Sequence, residues 1–406
     1  MKKILIVVLI CLAGMVQADS WTRKANFGGG ERVDAVCFTI GNYGYVGLGS
    51  DSTSIHYYND FWEYIPSSNT WTQVANFPDT GRAGAIGFSI GTKGYVGTGD
   101  NHNLNLYFNS FWEYDQPSNT WTQKTNFAGY RRTLATGFSI GTKGYIGLGQ
   151  DTIAYYQDFW EWDQASDSWT QKTDFGGGVR IGAIGFSMGN NGYVLTGFDG
   201  MATYQDFWEW NQTTNLWTEL TANFGGTARF ESSGFIIGNS WYFGTGLDDA
   251  FNTLNDFWKW YQPTNTWIQK SNFDSTIRNL AIGFSIGNKG YLGIGQNYPN
   301  IFKDFWEYTP DSTTGIESLP YSTNLTITLS PNPFQDKTIL IIQGSTTNAS
   351  LNIYNIEGKV VYRMTGISGT ITRITITYEQ LANGIYFYQL MEANEVLAAG
   401  KLVKSE

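Results

Sequence analysis

Six arginines recur at near-constant spacing along this 406-residue chain, each six residues before the phenylalanine of a repeated segment such as "GFSIG". They are Arg32, Arg82, Arg132, Arg180, Arg229 and Arg278. Guanidinium groups bind carboxylates and other anions through paired hydrogen bonds. Because the six arginines share one register, we expect them at the same end of a repeated strand, where they form a site for an anionic ligand or a set of ion pairs.

The partner for such an ion pair is the acid of a repeated Asp-Phe-Trp motif. The motif has Asp at positions 60, 158, 206, 256 and 304, and Ser110 replaces the acid in one copy. A buried charge without a partner is too costly to keep, so the pairing alternative requires an acid for each arginine. The sequence leaves both alternatives open.

The segments that precede this motif differ in length and sequence, as in "SDSTSIHYYND" and "FDGMATYQD". Variable loops on a rigid scaffold are typical of recognition surfaces. The tyrosines in them that we take as candidate ligand contacts are Tyr57, Tyr107, Tyr155 and Tyr204. Their rings can stack on sugars or contact a partner protein, and packing onto a neighbouring repeat is the alternative.

Catalytic chemistry has little support in the residue pattern. The two histidines, His56 and His102, lie in neighbouring segments without a recognisable ligand spacing. Asp- and Asn-rich loops permit calcium without specifying it. We therefore predict no catalytic residue, no metal site and no cofactor.

The elements that position these residues follow from an internal repeat. Tryptophans open a "WTQ"-like segment at 21, 71, 121, 169, 217 and 267, and a second set follows Phe at 62, 112, 160, 208, 258 and 306. A period of 48 to 50 residues with four short strands is typical of a β-propeller blade. The sixth copy lacks its outer strand and the chain opens with one, so we predict an all-β, six-bladed propeller over 19–310 that the N-terminal strand closes.

Composition and charge narrow the class further. A net charge of -10 argues against nucleic-acid binding, which requires clustered Lys and Arg. Residues 1–18 have the pattern of a secretory signal peptide, and no second apolar segment has membrane length. One cysteine, Cys37, then remains and can form no internal disulfide. We expect a monomer.

The repeats resemble kelch-type propellers, the galactose oxidase-like group, over residues 19–310. The resemblance rests on the arginine before the first strand, the glycine-rich second strand and the Tyr and Trp at fixed distance, as in "GFSIGTKGYVGTG" and "FWEYD". The family's paired glycines appear here as Gly-x-Gly. The resemblance implies a binding module for a glycan or protein, with ligand contacts from arginines at this position. It also implies an alternative, a carbohydrate-modifying enzyme of the sialic-acid epimerase or, with copper, the galactose oxidase kind.

The C-terminal part has a different composition, without tryptophan, and follows a Ser/Thr/Pro-rich linker at 311–321. Alternating apolar segments predict a small immunoglobulin-like β-sandwich over 322–406. The motifs "PNPF", "IYNIEGKVV", "LANGIYFYQL" and "GKLVK" stand in order and resemble the type A sorting domain of type IX secretion substrates. This implies a Bacteroidota-type bacterium, Sec export, contact with the type IX machinery, and a secreted or cell-surface location.

Overall fold

The computed structural model describes residues 19–51, 55–221, 224–311, 326–355, 359–377, 381–392 and 395–405. These residues form two compact units, one from Asp19 to Pro310 and one in the chain that starts at Asp311. The predicted signal peptide, and the predicted linker apart from Asp311, lie outside the described residues.

The first unit contains six four-stranded antiparallel sheets, so the predicted six-bladed propeller fold is confirmed. The first strand is β1 (Ser20–Arg23), and blade 1 has β2 (Val36–Ile40), β3 (Tyr43–Gly47), β4 (Phe61–Ile65) and β5 (Thr70–Val74). Blade 2 has β6 (Ile86–Ile90), β7 (Lys93–Gly97), β10 (Phe111–Asp115) and β11 (Thr120–Lys124), and blade 3 has β12 (Thr136–Ile140), β13 (Lys143–Gly147), β14 (Phe159–Asp163) and β15 (Ser168–Gln171). Blade 4 has β16 (Ile184–Met188), β17 (Asn191–Leu195), β18 (Phe207–Asn211) and β19 (Leu216–Glu219), blade 5 has β20 (Ser233–Ile237), β21 (Ser240–Gly244), β22 (Phe257–Tyr261) and β23 (Thr266–Lys270), and blade 6 has β24 (Ile282–Ile286), β25 (Lys289–Gly293) and β28 (Phe305–Thr309).

Short pairs of strands lie in two of the loops, β8 (Asp100–Asn101) with β9 (Leu106–Tyr107) and β26 (Gln296–Asn297) with β27 (Asn300–Ile301). Single turns of 3-10 helix span His102–Leu104 and Gln262–Thr264. The first strands of the blades lie around the axis and form the wall of a central channel.

The tight turns have the residues that their backbone requires. Gly41, between β2 and β3, has a φ of +58°, and Asn69, between β4 and β5, has a φ of +53°. Left-handed conformations of this kind favour glycine and asparagine. These turns lie at the end of the propeller opposite the longer loops, because successive strands run antiparallel.

The N-terminal strand completes the sixth blade. β1 pairs antiparallel with β28, with Trp21 opposite Tyr308. Trp21 is buried and contacts Phe257 of blade 5 and Phe273, in the segment that follows blade 5, edge to face at 5.0 and 4.8 Å. Asp19 accepts hydrogen bonds from the Ser271 backbone N–H and the Tyr308 hydroxyl.

Adjacent blades pack through a repeated pair of aromatic rings. The third-strand phenylalanine of one blade contacts the fourth-strand tryptophan of the next edge to face; the pairs include Phe61 with Trp121 at 5.0 Å and Phe111 with Trp169 at 5.2 Å. Such geometry adds about 0.5–1.5 kcal/mol per pair beyond area burial. The repeated tryptophans therefore belong to the scaffold.

The C-terminal unit is a five-stranded β domain. Its strands are β29 (Thr326–Ser330), β30 (Lys337–Tyr354), β31 (Val360–Thr377), β32 (Gly384–Glu392) and β33 (Glu395–Lys404). β30 pairs with β29 along its first part and with β32 along its last part, while β31 follows its whole length. Irregularities between Gln343 and Leu351 interrupt this register, and one buried core contains Leu340, Leu351 and Leu390.

Candidate functional site

The loops between the second and third strands, together with the segments that precede the inner strands, form one end of the propeller, which we call the loop face. The second-to-third strand loops span residues 48–60, 98–110, 148–158, 196–206, 245–256 and 294–304. All candidate residues from the sequence lie on this face or directly beneath it.

The six arginines lie beneath the loops, where each side chain is fully buried. Arg32 is typical: Nη1 and Nη2 donate to the two Asp60 carboxylate oxygens at 2.6 and 3.0 Å, and Nη1 also donates to the Leu48 carbonyl. Phe27 and Tyr58 cover the guanidinium at 4.8 and 4.0 Å. Arg132, Arg180, Arg229 and Arg278 pair in the same way with the motif aspartates of their blades. This is the geometry of the pairing alternative.

Arg82 differs because its motif position is Ser110. Its Nη2 donates to Asp79 Oδ2 at 2.5 Å, and the Ser110 hydroxyl donates to the same oxygen at 2.7 Å. Asp79 thus supplies from the preceding loop the charge that the third strand lacks. The indole N–H of Trp112, whose counterparts donate to the motif aspartate, has no hydrogen-bond partner.

The pKa directions agree with paired, ionised groups. Burial alone would raise the pKa of Asp60, but hydrogen bonds and the charge of Arg32 outweigh it, so the pKa is lowered. Asp304 behaves in the same way beside Arg278. Burial lowers the pKa of Arg82 to about 10, against the raising effect of Asp79.

The four candidate tyrosines do not share one environment. Tyr204 covers the Arg180 guanidinium at 4.2 Å, the role that Tyr58 has over Arg32. Tyr57 accepts a hydrogen bond from the backbone N–H of His102 in the next blade's loop, and the Tyr155 ring lies against Gly200 of the next blade. Tyr107 lies near Asp100 and Asp151. All four side chains are half-buried, and each contacts residues of its own or the next blade, as the packing alternative requires.

Further contacts connect neighbouring loops. The Asn103 side chain donates to the Ile55 carbonyl at 2.6 Å, and the Thr203 hydroxyl donates to Asp249 at 2.8 Å. The Thr253 hydroxyl likewise lies 2.9 Å from the Asn297 side-chain oxygen. Loops held by such contacts present a preorganised surface, which lowers the entropic cost of binding.

Each of the six loops exposes a large apolar side chain at its tip. Ile153 and Met201 are 89% and 93% exposed. We call this set the apolar tips: Ile55, Leu104, Ile153, Met201, Phe251 and Tyr298. Among the described propeller residues, only Leu216 and Ile268 of β19 and β23 are large apolar side chains exposed away from the loop face. The apolar tips, concentrated on one face, are therefore a candidate interaction surface.

The channel opens at the centre of the loop face, within a ring of residues that we call the collar. Each collar residue follows a repeated arginine by two positions and has positive φ; the six are Asp34, Gly84, Leu134, Gly182, Glu231 and Leu280. At five of the six steps around the ring, the backbone N–H of a collar residue donates to the carbonyl of the preceding one, from Gly84 N–H to Asp34 O at 3.1 Å through to Leu280 N–H to Glu231 O at 3.2 Å. The collar therefore fixes the backbone around the channel.

Two collar residues are acidic. Burial, reinforced by the charges of Glu231 and Asp100, raises the pKa of Asp34 well above its usual range. Burial also raises the pKa of Glu231 to about 7, although the Asn279 amide donates to its carboxylate at 2.6 Å. Asp100, in the loop above, has a buried side chain and a pKa raised by burial. None of these three acids is among the residues that we predicted from the sequence.

A signal for two of them was present in the repeat. The arginine register is uniform, but the residue two positions later is Gly in two blades, Leu in two and an acid in the other two. Positions that vary within a rigid repeat are candidates for ligand contact, and this rule finds Asp34 and Glu231. The burial of Asp100 depends on the β8–β9 hairpin, which the sequence pattern does not reveal.

In the part of the chain that the structure describes, no group of three or more His, Cys, Asp or Glu side chains has the arrangement of a metal site. The same residues contain no helix long and apolar enough to cross a membrane. His56 packs edge to face on Tyr58, and His102 Nε2 lies 3.1 Å from Asp100 Oδ2.

Comparison with known proteins supports both units. Residues 328–405 match the family model described as the secretion system C-terminal sorting domain. Among solved structures, the chain is similar to one described as the structure of YjhT, with 15% identity, a TM-score of 0.58, and coverage of 70% of this chain and 96% of that chain. At this identity the likeness shows the propeller fold alone. No curated protein matches the sequence.

The family match confirms the predicted sorting domain. Such a domain directs its cargo through the type IX secretion system to the cell surface or the exterior. The protein is therefore an exported β-propeller with a sorting domain at its C-terminus.

Proposed function

We propose that this protein is a kelch-type propeller that binds a partner protein through its loop face after export. The observation that carries the proposal is the set of apolar tips, one from each blade, on loops held together by hydrogen bonds. Aliphatic tips such as Ile153 and Met201 favour a protein over a glycan, because sugars stack on flat aromatic rings whereas Met and aromatic side chains are enriched at protein interfaces.

The six arginines then have a structural role in this proposal. Each lies beneath the loop face with its charge paired, and each anchors the loops above it through a backbone carbonyl such as that of Leu48. The four candidate tyrosines connect the loops to one another or cover an arginine. The ligand surface that we propose consists instead of the apolar tips and the channel opening.

The test measures capture of proteins from the cell-surface and culture-medium fractions of the producing bacterium, in parallel with a glycan array. I153S/M201S removes two apolar tips, and L216S/I268S is the matched control because it removes two exposed apolar side chains elsewhere. We expect a saturable protein partner whose binding falls at least tenfold in the first variant and less than twofold in the control. Binding to glycans alone, or equal loss in both variants, would contradict the proposal.

A carbohydrate-modifying activity is the second candidate, because a carboxyl with a pKa of about 7 in a channel is suited to general acid–base catalysis. Glu231 is the residue for that role. Solvent deuterium incorporation into monosaccharides, including sialic acids, followed by NMR with wild type and E231Q, tests it. Incorporation that depends on Glu231 would favour the enzyme over the binding module.

A further inference from the structure

The channel opening contains carboxyl groups that have no Lys or Arg beside them among the described residues. Asp34, Leu280 and their neighbours line two contiguous cavities of about 210 Å³ each, one in the channel and one toward the loops. Glu231 lines the first and Asp100 the second. Neither cavity has a Lys or Arg among its lining residues, and His102 is the one basic side chain there.

Polar atoms in these cavities also lack partners within the described chain. The Asp100 side chain is 7% exposed, and its Oδ2 accepts no hydrogen bond, although His102 Nε2 lies 3.1 Å away. The Ser232 hydroxyl, which lines the channel, has no hydrogen-bond partner either. A buried polar atom without a partner costs about 1–3 kcal/mol, so an arrangement of this kind favours a ligand that supplies donors.

The chemistry of the ligand follows from the charges. Asp34 faces two other carboxyl groups, those of Glu231 and Asp100, and the charge of each of them acts on Asp34. A cation placed among the three carboxyl groups would relieve the repulsion around Asp34. Its N–H groups would donate charge-assisted hydrogen bonds to the carboxyl oxygens. An ammonium group on a flexible four-carbon stem donates in three directions, whereas the planar fork of a guanidinium matches a single carboxylate. Three separate carboxyls therefore favour lysine over arginine.

We propose that a lysine side chain of the partner protein enters the channel opening and is bound by Asp34, Asp100 and Glu231. This inference rests on the proposed function, since the apolar tips hold the surrounding surface of the partner. The lysine gives the otherwise apolar contact its specificity, because a partner without a cation leaves in place the repulsion that Glu231 and Asp100 exert on Asp34.

The test uses Nα-acetyl-lysine methylamide as the probe, with affinity measured by NMR titration of the purified protein. The uncharged control is Nα-acetyl-norleucine methylamide, and glucosamine and calcium chloride are the competing cations. D34N/E231Q removes two carboxylates: asparagine tolerates the left-handed backbone of Asp34, and glutamine can still accept the Asn279 hydrogen bond. E31Q/D274N removes two exposed carboxylates in segments that precede inner strands, so it matches the change in charge.

We expect millimolar binding of the lysine probe, at least tenfold weaker binding by D34N/E231Q, less than twofold change in E31Q/D274N, and no binding of the norleucine probe. The inference is wrong if the lysine probe does not bind, if D34N/E231Q binds it as well as wild type, or if calcium or glucosamine binds the site more tightly. If the lysine probe fails these tests but I153S/M201S still weakens capture of the partner protein, only the lysine contact is refuted. If I153S/M201S captures the partner protein as well as wild type does, the proposed function itself is refuted.

Discussion

In blade 2 the buried arginine pairs with Asp79, because the motif position has Ser110 instead of an acid. This difference allows a direct test of the arginine scaffold. In D79A the fully buried Arg82 loses its carboxylate, and the remaining acceptors are the Thr80 and Thr98 carbonyls and the Ser110 hydroxyl. Removal of one partner from a buried ion pair costs about 3–5 kcal/mol. At roughly 2 °C per kcal/mol for a large domain, the melting temperature should fall by about 6–10 °C.

The double variant D79A/S110D places the acid where the other five blades have it. Asp at position 110 can accept from Arg82 Nη1, which already bonds Ser110, and from the Trp112 indole N–H, which has no partner. We expect it to recover most of the lost stability, to within about 1 kcal/mol of wild type, since the pair is restored. Differential scanning calorimetry of wild type, both single variants and the double variant measures the coupling. The reasoning is refuted if D79A melts within 2 °C of wild type, or if D79A/S110D is no more stable than D79A.

Three further predictions concern stability. Deletion of residues 19–25 removes β1 and should open the ring, with a large fall in the melting temperature, whereas an unchanged melt would show that blade 6 does not need β1. G94A places a methyl group 2.2 Å from the Phe38 ring and should cost about 1–3 kcal/mol by overpacking, measured by urea unfolding; a cost below 0.5 kcal/mol would contradict this. Burial raises the pKa of Glu231 from 4.5 to about 7, so wild type loses stability as pH rises through that window. E231Q should therefore match wild type at pH 4 and be more stable than wild type at pH 8 by at most about 3 kcal/mol; equal melting temperatures of the two proteins at both pH values would contradict this.

The repeat explains why so much of the fold followed from the sequence. Six copies of a four-strand pattern, with Gly and Asn at the turns and Trp at fixed positions, predict six blades because each local signal is averaged over the copies. The sorting motifs predicted the C-terminal domain for a different reason, since four short segments in order resemble one family. The long shared strand β30, which joins both parts of that domain, follows from neither signal.

The candidate site was less accessible from the sequence. The six arginines are candidates in the sequence because they recur at one register. A buried ion pair that is part of every blade gives the same recurrence, and all six arginines are buried in the structure. Asp34 and Glu231 are single substitutions in a register of Gly and Leu, and their proximity depends on how six collar residues meet around the axis. Exposure of tips such as Met201 depends on loop conformation, which residue type does not determine.

Photo-crosslinking tests the central claim, that the loop face binds a partner protein, most directly. Benzoylphenylalanine replaces Ile153 or Met201 at the loop tips, and Thr92 or Thr142 in exposed turns at the opposite end serve as controls. Irradiation of the protein on its producing cells should give one discrete product from the two tip positions and none from the two turns. Products of equal yield from both ends, or from the turns alone, would contradict the claim.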